Sequence, residues 1–286
     1  MIISFSTATF DNINGKEYLG GPANYGGAII DFFGEILNLD TINFVNVGKK
    51  DLHKIITLNH RNLIPNYIDS SVKFKLSYHN QKRICQILSK SFSVSKYDIT
   101  NYGLEEFIKN STIIVSPVIN EFPWSFFNKL VNSKPKAIFL DLFNNDDGNF
   151  SKSELALLNN ILSIKGNKLF IKLSENEIRG LIKAGIDLSN TSLLITRGKT
   201  GAELIHNKFK APIISHGIKV KTINSTGAGD VFLYVFATMY EYGLPLKKCL
   251  RIANKIAAIS TSYDTIEEFC KAIRKNKKII QSIAKK

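Results

Sequence analysis

Cysteine is scarce in this sequence: three in 286 residues, Cys85, Cys249 and Cys270, with no C-x-x-C pair. An odd number at wide spacing excludes a disulfide framework and a zinc ribbon, and leaves reduced, structural thiols. No apolar run reaches the roughly 18 residues that a membrane-spanning helix needs. The opening MIISFSTATFDN lacks a basic stretch followed by an apolar one, so it reads as a first strand rather than a secretion signal. A cytoplasmic protein is the expectation. The five histidines show no H-E-x-x-H spacing, and His53 and His60, on one predicted helix, read as a solvated pair. Acidic residues are outnumbered, giving a net charge of +14. The lysines are scattered, and the densest run, from Lys271 to Lys286, has no interleaved aromatics on which bases would stack. Nucleic acid is therefore not the expected partner; a basic chain that handles anions such as nucleotide phosphates is.

What is present is a globular chain, 44% hydrophobic, expected to form a single domain over 1–286. Residues 1–6 and TINFVNV (41–47) read as strands on either side of a glycine-rich segment, GGPANYGG, and an apolar helix. Strand, glycine turn, helix, strand is the pattern of a parallel sheet with crossover helices. STIIVSPV (111–118), KAIFLDLF (136–143), KLFIKLS (168–174) and SLLITRG (192–198) read as buried strands, and GAELIHN (201–207) as a further one. IKVKTIN (218–224) reads as the strand before a second glycine-rich turn and the apolar helix VFLYVFATMYEYG, with a last helix pair over about 246–283. Residues 72–92 differ. VKFKLSY alternates, with Val72, Phe74, Leu76 and Tyr78 on one face, HNQK is a turn, and RICQILSKSF resumes an extended run. That is a hairpin, expected to form a small lid within an insertion at about 66–93. The fold class is α/β: a doubly wound, mostly parallel sheet with helices on both faces and a β-hairpin lid.

The chemistry concentrates in Asn224-Ser225-Thr226-Gly227-Ala228-Gly229-Asp230, between the predicted strand and helix. Small residues let a substrate approach the backbone. The N–H groups of Gly227, Ala228, Gly229 and Asp230 fall at a helix start, where donors are unpaired and the dipole is positive. Such a turn stabilises charge on a transferring phosphoryl group. A carboxylate there is ill placed to bind an anion but well placed to take a proton from an attacking hydroxyl. Gly198-Lys199-Thr200 imitates the end of a phosphate-binding P-loop, but Leu193 stands where that motif needs glycine and a strand follows where it needs a helix. Asp146-Asp147 reads as a turn, Asp141 as a strand-end carboxylate near the crevice, and Trp124, Phe126 and Phe127 as packing.

STGAGDVF, after an apolar strand and before an apolar helix, resembles the signature D-T-x-G-A-G-D-x-F of the ribokinase-like (PfkB) carbohydrate kinases. Five features in family order extend the resemblance over nearly the whole chain: Asp11, the pair Gly20-Gly21, the 72–92 hairpin, Ser174-x-x-Glu177 at the N-x-x-E position, and Thr196-x-Gly198-x-x-Gly201 at the T-x-G-x-x-G turn. The resemblance implies a kinase that phosphorylates a hydroxyl of a sugar or a polyol such as inositol. A nucleoside or a hydroxymethyl heterocycle is the alternative substrate, and a binding protein that has lost catalysis the alternative of another class. It implies Asp230 as base, Gly227, Ala228 and Gly229 as anion hole, and ATP at Thr196, Gly198, Gly201, Thr226 and Asn254. Magnesium would lie near Glu177 through water, and substrate at Asp11, Gly20, Gly21, Asn24 and Asp141. A homodimer through the lid is also implied.

The sequence departs from the family in three places. Asn224 replaces an Asp that helps relatives hold a monovalent cation; a neutral amide lowers cation affinity and puts potassium activation in question. Ser174 replaces Asn, which loosens the phosphate-side network. GGPANYGG is shorter than G-G-x-x-x-N, so either Asn24 takes the Asn role or Tyr25 occupies that position, as an aromatic does in archaeal-type, inositol-kinase-like members.

Overall fold

The computed structural model describes residues 1–13, 15–56, 62–79, 82–89, 103–119, 121–142, 148–163, 169–189 and 191–276. Strands β1 (Ile2–Thr7), β2 (Thr9–Ile13) and β3 (Lys16–Gly20) precede α1 (Gly21–Leu37), β4 (Thr41–Gly48), α2 (Leu52–Ile56) and β5 (Leu63–Ile68). The hairpin β6 (Val72–His79) and β7 (Lys82–Ser89) follows, then α3 (Leu104–Ile108) and β8 (Thr112–Ser116). Helices and strands next alternate: α4 (Trp124–Asn132), β9 (Ala137–Asp141), α5 (Lys152–Leu162), β10 (Leu169–Ser174), α6 (Glu175–Lys183) and β11 (Ser192–Thr196). The chain closes with β12 (Gly201–Ile205), β13 (Ile213–His216), α7 (Ala228–Glu241), α8 (Leu246–Ser260) and α9 (Ile266–Lys275). The Asp146–Asp147 turn, His60 and the tail beyond Asn276 lie outside the described residues.

Among the described residues the main sheet has nine strands, ordered β13-β12-β11-β10-β9-β8-β1-β4-β5. It is parallel from β11 to β5, and β12 runs antiparallel to both of its neighbours. Period-two alternation fills both faces. Ile2, Ile114, Phe139, Phe170 and Leu194 pack under α1, α7, α8 and α9. Ile3, Phe5, Ile113, Val115, Leu140 and Ile171 pack on the other face against α3 to α6. Phe139 and Phe170, cross-strand neighbours, stack at 4.7 Å. Each buried phenyl adds about 1.5–3 kcal/mol of burial free energy. Chain order reverses at β1, which lies between β8 and β4. Ligands of open α/β sheets bind beyond the carboxyl ends of the strands at such a point.

The hairpin does not stand alone: β6 and β7 join β2 and β3 in a separate four-stranded sheet ordered β3-β2-β6-β7. Phe74 and Leu76 are buried with Val72 and Val118, so this apolar face is already covered by the chain itself. The outermost strand, β7, leaves Ile87 and Leu88 about half exposed, at 48% and 52%.

Three details differ from expectation. β5, with Pro65 inside it, pairs with β4 as the outermost strand of the main sheet, the position that tolerates a residue without an N–H. The strand before the second glycine turn is Ile213–His216, and residues 218–224 form no ladder. Among the described residues no strand lies beyond β13; the N–H groups of Ile223 and Asn224 donate instead to the Thr261 carbonyl at 2.7 and 3.1 Å. Finally, GGPANYGG is not a turn but the first two turns of α1, with Pro22 in the first. Its glycines permit close helix packing: a Cβ at Gly26 would lie 2.3 Å from the Tyr234 ring of α7. No helix of the described residues is long and apolar enough to cross a membrane.

Candidate active site

Helix α7 begins without a capping side chain. Its N-cap residue, Gly227, has φ 76°, a left-handed conformation that glycine adopts without steric penalty. Ala228, Gly229 and Asp230 follow as the first turn, so backbone donors and the Asp230 carboxylate share one turn. The Ala228 N–H also makes a long 3.3 Å contact to the Ser225 carbonyl. Tyr25, one turn into α1, packs on Gly227 so closely that a Cβ there would lie 2.2 Å from the ring.

Beneath this turn lies a residue that the motifs do not reveal. Lys172, in β10, donates to both oxygens of Asp141 on the adjacent strand, at 2.8 and 3.0 Å. Its Nζ lies 3.0 Å from the place a Cβ at Gly229 would occupy. Burial alone would lower the pKa of this ammonium; the charges of Asp141, Glu177 and Asp230 outweigh it and hold the group protonated. Asp141, Lys172, Glu177 and Asp230 thus form one electrostatic cluster. Glu177 itself is raised, first by burial, with Lys172 opposing. The sequence did carry a signal for Lys172: a lone charge inside the apolar strand LFIKLS, on the same face as Phe170.

Ser174 does not loosen its surroundings as the Asn-to-Ser exchange suggested. It caps α6 in a reciprocal box: its Oγ accepts from the Glu177 N–H at 3.2 Å, and the Glu177 carboxylate accepts from the Ser174 N–H. Serine is as good an N-cap as asparagine, so Glu177 is fixed. Glu177, Asp141 and Asp230 supply the hard oxygen donors that magnesium takes, usually together with waters and phosphates. Among the described residues no group of three or more acidic, His or Cys side chains is arranged to enclose an ion. Carboxylate oxygens of this kind are the chemistry by which a magnesium ion carried on phosphates and water would be held.

A second group forms at the lid sheet. Asp11, on β2, is buried and accepts a hydrogen bond from the Thr9 hydroxyl at 2.9 Å. Gly20, paired with Thr9 across the strands, leaves room for that carboxylate: a Cβ there would lie 2.3 Å from Asp11 Oδ2. Gly21 opens α1. Asn24 and Tyr25 are separated by their contacts. Asn24 is buried, donates to the Leu19 carbonyl at 3.0 Å, and leaves its Oδ1 without a partner among the described residues. Tyr25 belongs to the Gly227 turn. Helix α1 thus ties the Asp11 group, at its start, to the Asp230 group, through Tyr25. If Asp11 holds a hydroxyl substrate as the family resemblance implies, replacing Gly20 by alanine is expected to displace it and raise KM for that substrate about tenfold while leaving the KM for nucleotide unchanged. Steady-state kinetics check this, and an unchanged substrate KM contradicts it.

A third group surrounds the ends of β11 to β13. Thr196 reaches the Leu173 carbonyl at 3.4 Å, and Gly198 and Gly201 frame the turn into β12. Asn254 is buried, and its amide donates to Ser215 Oγ at 2.9 Å and the His216 carbonyl at 2.8 Å, holding α8 against β13. Thr226 and Asn224 belong to the α7 turn. The Thr226 N–H donates to Asn224 Oδ1 at 2.9 Å, which orients the amide, and Nδ2 donates to the Asp264 carbonyl at 2.9 Å. A cavity beside them is lined by Tyr25, Asn224, Thr226, Tyr263, Asp264 and Thr265. A cation here would need carbonyl oxygens free to face it; the Asn224 amide already donates to one of them.

Residues 147–268 match the model of the pfkB family carbohydrate kinases. No curated protein matches the chain. Among solved structures, a ribokinase from Thermotoga maritima aligns with TM-score 0.68 at 16% identity, covering 96% of this chain and 98% of its own. An uncharacterized sugar kinase from Pyrococcus horikoshii, solved with ATP, aligns with TM-score 0.71 at 19% identity, covering 93% and 94%. A pyrophosphate-dependent kinase of the ribokinase family, complexed with a pyrophosphate analog and myo-inositol, aligns with TM-score 0.67 at 14% identity, covering 95% and 98%. The fold is ribokinase-like.

Proposed function

We propose that this chain, a member of the pfkB family of carbohydrate kinases, transfers the γ-phosphate of ATP to a hydroxyl of a small sugar or polyol, with Asp230 as the base. The observation that carries the reading is the α7 turn, where uncapped backbone donors, a carboxylate and a largely buried ammonium meet. In the reaction the substrate oxygen forms a bond to the γ-phosphorus. The bond from that phosphorus to the bridging oxygen breaks, its electron pair stays on ADP, and the hydroxyl proton passes to Asp230. Gly227, Ala228 and Gly229 present N–H groups to the developing negative charge. Asp11, held by Thr9, orients the substrate hydroxyls, and Asn24 Oδ1 offers one more acceptor. The nucleotide lies along Thr196, Gly198, Gly201 and Thr226, with the adenine against the α8 segment that Asn254 fixes to β13. Magnesium, when bound, would neutralise phosphate charge, with Glu177 as the carboxylate that would hold it through water. The lid sheet covers the substrate, and the exposed edge at Ile87 and Leu88 is where a second copy would pair.

Polyols rank with sugars because the neighbour solved with myo-inositol shares the fold across nearly its whole length. An ADP-release assay with ATP and magnesium over sugars, inositols and nucleosides tests the reading. Turnover on a sugar or polyol supports it; turnover on nucleosides alone replaces the substrate class, and ATP binding without turnover favours a binding protein. The engaged Asn224 amide further predicts that activity is equal, within about twofold, in potassium, sodium or N-methylglucamine salts. Asn224→Asp removes the donor and adds a charge facing the Asp264 carbonyl, and is expected to create a potassium dependence of about tenfold, the equivalent of one charge-assisted contact. Strong potassium activation of the wild type would contradict this account.

A further inference from the structure

We propose that Lys172 is a catalytic residue whose ammonium touches the phosphoryl group in flight and stabilises its charge from the side of Gly229. The proposal rests on the kinase reading above. Nothing in the signature motifs assigns a role to this position.

Placement comes first. β10 is buried, and the residues on its α7-facing side are Phe170 and Lys172. An apolar side chain at 172 would simply extend the core. Instead the chain delivers an ammonium to within 3.0 Å of the point one bond out from Gly229 Cα, inside the uncapped turn. Gly229 has no side chain, so nothing of its own stands between that ammonium and a phosphoryl group lying on the turn.

Donor capacity comes next. An ammonium has three N–H groups. Asp141 takes one at each oxygen, 2.8 and 3.0 Å away, which fixes Nζ and leaves a third donor direction.

Charge supplies the third argument. Asp141, Glu177 and Asp230 all act on Lys172. Three carboxylates and one ammonium form a cluster with an excess of negative charge, into which the reaction must bring a polyphosphate. Without Lys172 the incoming group meets three like charges and no protein cation in the cluster. If the ion pair served structure alone, removing its one cation would strand the Asp141 carboxylate and cost folding stability, and activity would fall only as folding falls. That gives the structural alternative a distinct outcome.

In the step itself Lys172 neither gains nor loses a bond. The P–O bond to the substrate forms, the bond to the bridging oxygen of ADP breaks, and the proton goes to Asp230. Lys172 offers a point charge to an equatorial phosphoryl oxygen as that oxygen becomes more negative.

The test uses the full chain with Lys172→Ala, Lys172→Met and Lys172→Arg. The expected result for Lys172→Ala is a fall in kcat on the order of a hundredfold or more, with KM for the hydroxyl substrate within about threefold. Added n-propylammonium restores at least about tenfold of that loss, and tetramethylammonium or propanol does not, because only the first supplies a compact cation with N–H donors. A second readout needs no substrate: the gain in affinity from ADP to ADP with magnesium and aluminium fluoride, a mimic of the transferring group, shrinks about tenfold or more in Lys172→Met. Full activity in Lys172→Met overturns the proposal. So does a loss of activity that tracks loss of folding and is not rescued by the amine, since that is the structural outcome. A wild type that neither binds ADP nor turns over any hydroxyl compound overturns the kinase reading itself, whereas an active wild type with an equally active Lys172→Met overturns the lysine role alone.

Discussion

Asp230→Asn is expected to lower kcat by at least about a hundredfold, the usual scale for loss of a general base, with nucleotide affinity nearly unchanged. The amide keeps the shape of the carboxylate and cannot accept the hydroxyl proton. Asp230 is the third residue of α7, where a negative charge also favours the helix dipole, so a small loss of stability, about 0.3–1 kcal/mol, accompanies the exchange. That loss is too small to unfold the chain, so an inactive variant reports on chemistry. The backbone donors of Gly229 and the Lys172 ammonium remain, so nucleotide binding is expected to persist. Comparable kcat in wild type and variant would remove Asp230 from the role of base.

The second large effect belongs to Gly227. Its φ of 76° is left-handed, and a side chain there costs roughly 1–2 kcal/mol for conformation alone. A Cβ would also fall 2.2 Å from Tyr25 Cγ, so either the ring or the turn must move. If the turn moves, the donors proposed to face the transferring phosphoryl are misaimed, and kcat is expected to fall on the order of a hundredfold in Gly227→Ala. The collision involves one named partner, which makes the prediction specific. In the Tyr25→Ala background the same glycine exchange should cost only its conformational part. The double-mutant cycle, read by urea unfolding and by kcat, should therefore show a favourable coupling of about 1 kcal/mol or more. Additive effects would show that Tyr25 does not support the anion hole.

Much of the fold was legible because the physics was local. The central strands are unbroken apolar runs between turn residues, as buried parallel strands must be, and 136–143 and 168–174 enclose β9 and β10. What failed depended on neighbours. IKVKTIN alternates like a strand, but a strand exists only where another offers it a ladder, and among the described residues the sheet ends at β13. β5 was hidden by Pro65 inside it, and the lid sheet by the distance between its halves, since β2 and β3 come well before β6 and β7.

The site divides in the same way. Asp230 and its glycines are contiguous, and the roles proposed for them follow from small residues at a helix start. Asn24 and Tyr25 are adjacent in sequence and face different groups, a distinction that only the packing of α1 on α7 makes. Lys172 stood in a strand already recognised as buried, and its charge was the signal. Its meaning needed the register that sets it beside Asp141 and the packing that brings Gly229 over it. Asn224 was visible as a departure from the family pattern, but its consequence needed the Asp264 carbonyl from a distant loop.

The most direct test of the central claim is a phosphorus NMR spectrum of ATP, magnesium and a mixture of sugars and inositols, incubated with the wild type and with Asp230→Asn. The account predicts a new phosphomonoester resonance appearing with ADP in the wild type and absent from the variant. ADP with inorganic phosphate and no phosphomonoester, or the same phosphomonoester formed equally by both proteins, would contradict it.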